Sequence, residues 1–311
     1  DRAAPRDRPA LPAAIALIGL GAFAAQTRAA WPFIADDAFI TFRHAAHLAA
    51  GHGPNFNASG PRAEGVTSWG FMLLMAIPEA MGLDPVGVSR GIGALAALAT
   101  AALAGRLATR LAGGAPGLAG AFAAALVLGW YPTAIHAISG METLLASALL
   151  TVLLLAVRDT VAARSHGGLG ALCLALGLVR PELNAVAGVL LIHAGLRQPP
   201  RDRSAFARGI AWSYLLPGAL FFTARALYYG HAFPIPFYAK LLGQTALPGL
   251  PSVLAFGAAV LGLVALPVGV AVLRAPERCA APLLAVAATT ALALLPNPVM
   301  DFDFRYCLPA V

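Results

Sequence analysis

Apolar runs recur along almost the whole chain, and few folds tolerate that. Runs of about 17–25 apolar residues match the hydrocarbon core of a bilayer, about 30 Å thick. Candidate spans fall at about 11–28, 88–110, 115–134, 142–157, 168–179, 183–196, 209–228, 251–273 and 279–297. Only 11% of the residues are charged and 59% are hydrophobic, against about 25% charged in soluble domains. The sequence therefore predicts an all-α, polytopic membrane protein. Its abundant Ala, Leu and Gly suit closely packed membrane helices. The net charge of +7 does not point to nucleic acid, because most arginines lie between apolar runs, where they act as topology signals. Cys173, Cys279 and Cys307 are scattered, with neither a disulfide framework nor metal-ligand spacing.

Orientation turns on one short stretch. The basic N-terminus DRAAPRDRPA precedes LPAAIALIGLGAFAA. No clear small-residue cleavage site follows, and further spans do, so an uncleaved first helix is expected rather than a signal peptide. The stretch 70–83, GFMLLMAIPEAMGL, is apolar but short and holds Pro78 and Glu79. If it spans, Arg106, Arg110, Arg158 and Arg164 fall on the outer side. If it is re-entrant or interfacial, they join Arg2, Arg6, Arg8, Arg197, Arg201, Arg203, Arg208, Arg274 and Arg278 on or near one side. The positive-inside rule selects the second arrangement and calls that side cytoplasmic. Arg62, Arg90 and Arg225 count against it. The opposite side then gathers Asp36, Asp37, Arg43, Glu64, Glu142, Arg180, Glu182, Lys240, Asp301, Asp303 and Arg305. The runs 168–179 and 183–196 are short and read as a helical hairpin that reaches part-way, with Arg180-Pro181-Glu182 at its turn. Pro181 should end the first of the two helices, because the residue before a proline avoids helical geometry.

Asp36 and Asp37 open the first long polar loop. Acids beside a bilayer are costly and point to function by default. The run after them places Phe39, Phe42, Ala46 and Ala49 near one helical face and Arg43, His44 and His47 near the other. That pattern predicts an amphipathic helix over 37–50 lying on the membrane surface. One of the two acids, Asp36 by position, is a candidate N-cap for it. His44 and His47 are i,i+3 neighbours without a third ligand, so no metal site is read there. No internal repeat is evident.

DDAFITFRHAAHLAAGHGPNFN at 36–57, followed by AEGVTSWGF at 63–71, resembles the first outer loop of a group of GT-C membrane glycosyltransferases. That group includes the mycobacterial terminal arabinofuranosyltransferases, which use a decaprenyl-phosphate sugar donor. Similar motifs follow in order: SGMETLL at 139–145, LVRPELN at 178–184, PFYAKLLG at 236–243 and DFRYCLP at 303–309. Two positions depart from the group's pattern: Val66 stands where an aromatic is usual, and Leu183 where Gly is usual. They leave the sugar's identity open. The resemblance implies one GT-C-like transmembrane domain over 1–311, continuing into further helices or an outer soluble domain. It implies inverting transfer of a sugar, such as a pentofuranose, from a polyprenyl-phosphate donor to a hydroxyl of a glycan or lipid acceptor. The setting would be the outer face of a bacterial cytoplasmic membrane. A transporter or flippase of lipid-linked sugars is the competing expectation.

Such a reaction needs a general base near the acceptor hydroxyl and positive charge near the leaving phosphate. The resemblance assigns the base to Asp37 or Asp36. Neighbouring helical residues point about 100° apart, so one of them is left for a cap or a cation. Lys240, Arg180, Arg305 and Tyr238 are the candidates for the donor phosphate; basic side chains that merely reach for headgroups are the alternative. Glu64, Thr67, Trp69, Glu142, Glu182 and Arg43 are the candidates for sugar or acceptor contacts. Glu142 equally suits a helix-dipole role. Glu182 equally suits a pair with Arg180 that steadies the hairpin turn, and Trp69 an interfacial anchor. No cofactor is required by this reading. Asp301 and Asp303 leave room for a divalent cation.

Overall fold

A computed structural model describes residues 10–112, 116–159, 166–241 and 248–295, without the side chains of 116, 239–241, 261–268, 270, 271 and 274. Among the described residues the fold is all-helical, with no strand. Helix α1 spans Ala10–Ala29, α2 Asp36–Ala49, α3 Trp69–Ala80, α4 Pro85–Leu111, α5 Pro116–Gly129, α6 Tyr131–Ile138 and α7 Thr143–Asp159. Then come α8 Gly167–Val179, α9 Leu183–Arg197, α10 Arg203–Ile210, α11 Leu216–Tyr229, α12 Ile235–Leu241, α13 Leu250–Arg274 and α14 Pro276–Ala293. A 3-10 turn at Pro200–Asp202 and a π-helical turn at Ala211–Leu215 join α10 and α11 into one 30-residue helix, Pro200–Tyr229. Among the described residues three helices are long and apolar enough to cross a membrane: α1, α4 and Pro200–Tyr229.

Side-chain contacts sort the helix ends into two groups. At one end Arg110 of α4 pairs with Asp159 of α7 at 2.7 Å, and Arg158 donates to the Arg110 carbonyl. At the other end Arg90, one turn into α4, donates to the carbonyls of Trp31, Phe33 and Ile138. So α4 starts at the end where α1 finishes. Helix α3 has 12 residues, about 18 Å of rise, too short to cross a core of about 30 Å. A short, non-crossing segment at 70–83 fits this geometry.

The hairpin over 168–196 forms as the sequence predicts. Helix α8 stops at Val179, and Arg180 takes an extended backbone (φ −140°, ψ 103°) ahead of Pro181. Three expectations change. The run 115–134 is not one straight helix: α5 and α6 meet at 59° across Trp130. Pro132 sits in the first turn of α6, where its missing N–H is harmless, and Trp130 is extended there (ψ 122°).

Helix α2 begins at Asp36 rather than using it as N-cap. Ala35 holds the cap position with no side-chain bond, and its N–H is spent on the Ser139 carbonyl at 3.0 Å. The Asp36 carboxylate accepts instead from the neighbouring Asp37 N–H at 2.9 Å. The buried face of α2 also differs from the predicted stripe. Ala38, Thr41, Phe42, His44 and Ala45 are buried, whereas Phe39 is 50% exposed. Tertiary contact decides this. Gly140, at φ +78°, lets its backbone approach Ala38 and Phe42, where an added Cβ would come within 2.9 Å of the Ala38 Cβ.

Candidate functional site

Motifs that are far apart in sequence meet at one cavity of about 830 Å³. AEGVTSWGF contributes Thr67, Ser68 and Trp69 to its wall, and SGMETLL contributes Glu142. LVRPELN contributes Arg180 through Asn184, and PFYAKLLG contributes Phe237. The rest of the lining is largely apolar and comes from α8, α11 and α14.

Two charged groups stand in this wall. In the first, Arg180 is 3% exposed, and its Nε donates to Glu182 at 2.7 Å. Glu142, also 3% exposed, brings a carboxylate oxygen within 3.9 Å of the same guanidinium. The α8–α9 turn presents Arg180 and Glu182 together, and the start of α7 presents Glu142. Asn184 steadies the turn by donating to the Pro181 carbonyl at 2.8 Å, and its own carbonyl accepts from Tyr214 at 2.7 Å.

The second group joins the first loop to α11. Glu64 is fully buried and pairs with Arg225 at 2.5 Å. Its other oxygen accepts from the Trp69 indole N–H at 2.9 Å. Burial pushes the Glu64 carboxyl above its ordinary value, while the Trp69 hydrogen bond and the Arg225 charge pull it back. The loop is clipped to the end of α11 at further points. Tyr229 donates to the Pro54 carbonyl, Asn55 donates to the Tyr228 hydroxyl at 2.9 Å, and Arg62 donates to the Tyr228 carbonyl at 3.0 Å. Ring contacts Trp69–Phe221 (5.3 Å), Phe222–Phe233 (5.9 Å) and Phe233–Phe237 (4.5 Å) build an aromatic side of the cavity.

The other expected residues lie elsewhere or outside the described set. Asp36 is exposed and Asp37 half-buried, and neither lines the cavity. They stand at the start of α2, which the Ala35–Ser139 bond ties to the loop that delivers Glu142. Arg43 stays outside the cavity, donating to the Phe56 carbonyl at 2.6 Å with its guanidinium 4.5 Å from that ring. Tyr238 is 38% exposed and does not line it either. Lys240 lies in α12, one turn after Phe237, but its side chain is outside the described residues, as are Asp301, Asp303 and Arg305. No group of three metal-ligating side chains occurs among the described residues.

Arg225, Asn184, Tyr214 and the ring of phenylalanines are the wall residues that sequence reading passed over. Arg225 did carry a signal, because a charge within an apolar run is costly unless paired. Protein-family models, curated proteins and solved structures were compared with the chain, and none matches it.

Proposed function

We propose that this chain is a GT-C-like membrane glycosyltransferase that moves a sugar from a polyprenyl-phosphate donor to a hydroxyl of a cell-envelope glycan or lipid. One observation carries the reading. Four of the five motif stretches that carry the resemblance line the same cavity, although more than 160 positions separate Thr67 from Phe237. The cavity also combines what such a donor needs. Its apolar and aromatic walls suit an isoprenoid chain, and its buried Arg and Glu groups suit a phosphosugar.

In this reading Asp37 or Asp36 takes the acceptor proton as the hydroxyl oxygen attacks the anomeric carbon. The bond from that carbon to the phosphate oxygen breaks with inversion, and the polyprenyl phosphate leaves with the electron pair. The Ala35–Ser139 bond ties the start of α2 to the loop before α7, with Asp37 two residues beyond Ala35 and Glu142 three beyond Ser139, and this supports the reading. The membrane is a bacterial cytoplasmic membrane, and the cavity opens toward its outer face.

The test is transfer by the purified protein in vesicles, given a panel of polyprenyl-phosphate pentoses and hexoses, with the product linkage read out. Transfer is expected with at least one donor, and Asp37→Asn or Asp36→Asn is expected to lower it by about 100-fold or more. Full activity in both single variants and the double variant would remove the base assignment. Movement of a lipid-linked sugar across the vesicle without transfer would favour a flippase.

A further inference from the structure

The apolar wall of the cavity is interrupted where α9 faces the long helix Pro200–Tyr229. Asn184, in the first turn of α9, and Tyr214, in the π-helical turn Ala211–Leu215, both line the cavity and are both half-buried. A π turn carries one residue more than an α turn and is common at functional sites. Here it presses against α8, where a Cβ added at Gly170 would run into the Ser213 Oγ. A Cβ added at Gly177 of the same helix would run into the Asn184 Oδ1. The bare backbone at Gly177 gives the Asn184 amide its place.

The polarity of the pair is fixed from one end. The Pro181 carbonyl can only accept, so the Asn184 amide turns its Nδ2 toward it, at 2.8 Å. Oδ1 then faces Tyr214, which donates its hydroxyl proton to it at 2.7 Å. An amide nitrogen has two N–H groups, and a phenol oxygen accepts as well as donates. Among the described residues, one Asn184 N–H and the acceptor side of the Tyr214 oxygen are therefore unspent. Polar capacity left open in an apolar wall is costly unless something fills it. One neutral donor beside one neutral acceptor matches a hydroxyl, which accepts from the amide and donates to the phenol. Ionised phosphate and carbonyl oxygens only accept, and would bring no proton to the Tyr214 oxygen.

Resting on the cavity reading above, we infer that Asn184 and Tyr214 bind one hydroxyl of the sugar carried by the lipid and so help decide which sugar is accepted. The Pro181 carbonyl sets the direction of the amide and Gly177 its position.

The test measures binding of undecaprenyl-phosphate pentoses and hexoses to the purified protein in nanodiscs, and then of the monodeoxy analogues of the tightest binder. In wild type one analogue is expected to bind about tenfold or more weakly than its parent. Tyr214→Phe removes a single oxygen and is expected to bind parent and analogue equally, by weakening the parent alone. Asn184→Ala is expected to erase the same difference and no other; if it does not fold, Tyr214→Phe decides alone. A merely structural Tyr214–Asn184 bond would shift parent and analogue together. Discrimination that is absent in wild type, or kept in Tyr214→Phe, overturns the assignment while the cavity reading stands. A wild type that binds none of the sugar lipids more tightly than undecaprenyl phosphate itself overturns both.

Discussion

Three arginines break the charge asymmetry of the sequence, and each has local work. Arg90 binds three carbonyls and lies over Trp31 at 4.5 Å. Arg62 binds the Tyr228 carbonyl and ring, and Arg225 neutralises Glu64. The last pair is buried, so breaking it leaves a charge stranded. Glu64→Ala should cost about 3–5 kcal/mol, and E64L/R225M clearly less, as read from thermal unfolding in detergent. His44 is a second buried ionisable group. Its Nδ1 faces the Ile40 carbonyl at 2.8 Å, and its Nε2 accepts from the Gly65 N–H at 3.2 Å. A neutral ring satisfies both bonds, and burial holds its pKa below 6.5. The unfolded chain therefore takes up a proton near pH 6.5 that the folded chain resists. Stability is full above that value and falls as the pH drops below it. His44→Gln should lower the melting temperature at pH 7.5 and flatten this dependence.

At the scale of elements, helix α4 shows how two glycines in one helix do opposite things. A Cβ at Gly93 would lie 2.2 Å from the Ala137 carbonyl oxygen of α6, whereas one at Gly91 meets nothing within 4 Å. Gly93→Ala should therefore destabilise by about 1–3 kcal/mol through overpacking. Gly91→Ala should be neutral or stabilising by up to about 1 kcal/mol, because Ala is the better helix former. Paired unfolding curves check both. Helix α4 starts ahead of the run expected at about 88–110: the Asp84 carboxylate accepts from the Val86 and Gly87 N–H groups, and Pro85 opens the first turn. Helix α2 was readable in extent but not in facing. Its apolar positions are mostly small, so periodicity alone could not tell the exposed face from the face that meets α3 and the Gly140 loop.

At the scale of the molecule, the two groups of helix ends carry the topology. Arg110, Arg158 and Asp159 meet at one end, and Arg225 and the Arg180 group line the cavity at the other. With the native cysteines replaced, a cysteine at Ala58 and one at Arg201, both exposed, should label from opposite sides of the membrane. Labelling of both from the same side would contradict the arrangement. The all-helical class, the α8–α9 hairpin and the presence of apolar helices long enough to cross a membrane follow from the sequence alone, although three of the described helices rather than nine runs reach that length. Hydrocarbon length, proline geometry and the cost of charge in an apolar run act locally and leave a local mark. The residues Glu142, Arg180 and Trp69 could likewise be named in advance. Only the tertiary structure could show that they share a cavity, that Arg180 stands between Glu182 and Glu142, and that Arg225 is held by Glu64. An ion pair between residues 161 positions apart depends on how helices pack, and neither end of the chain records it.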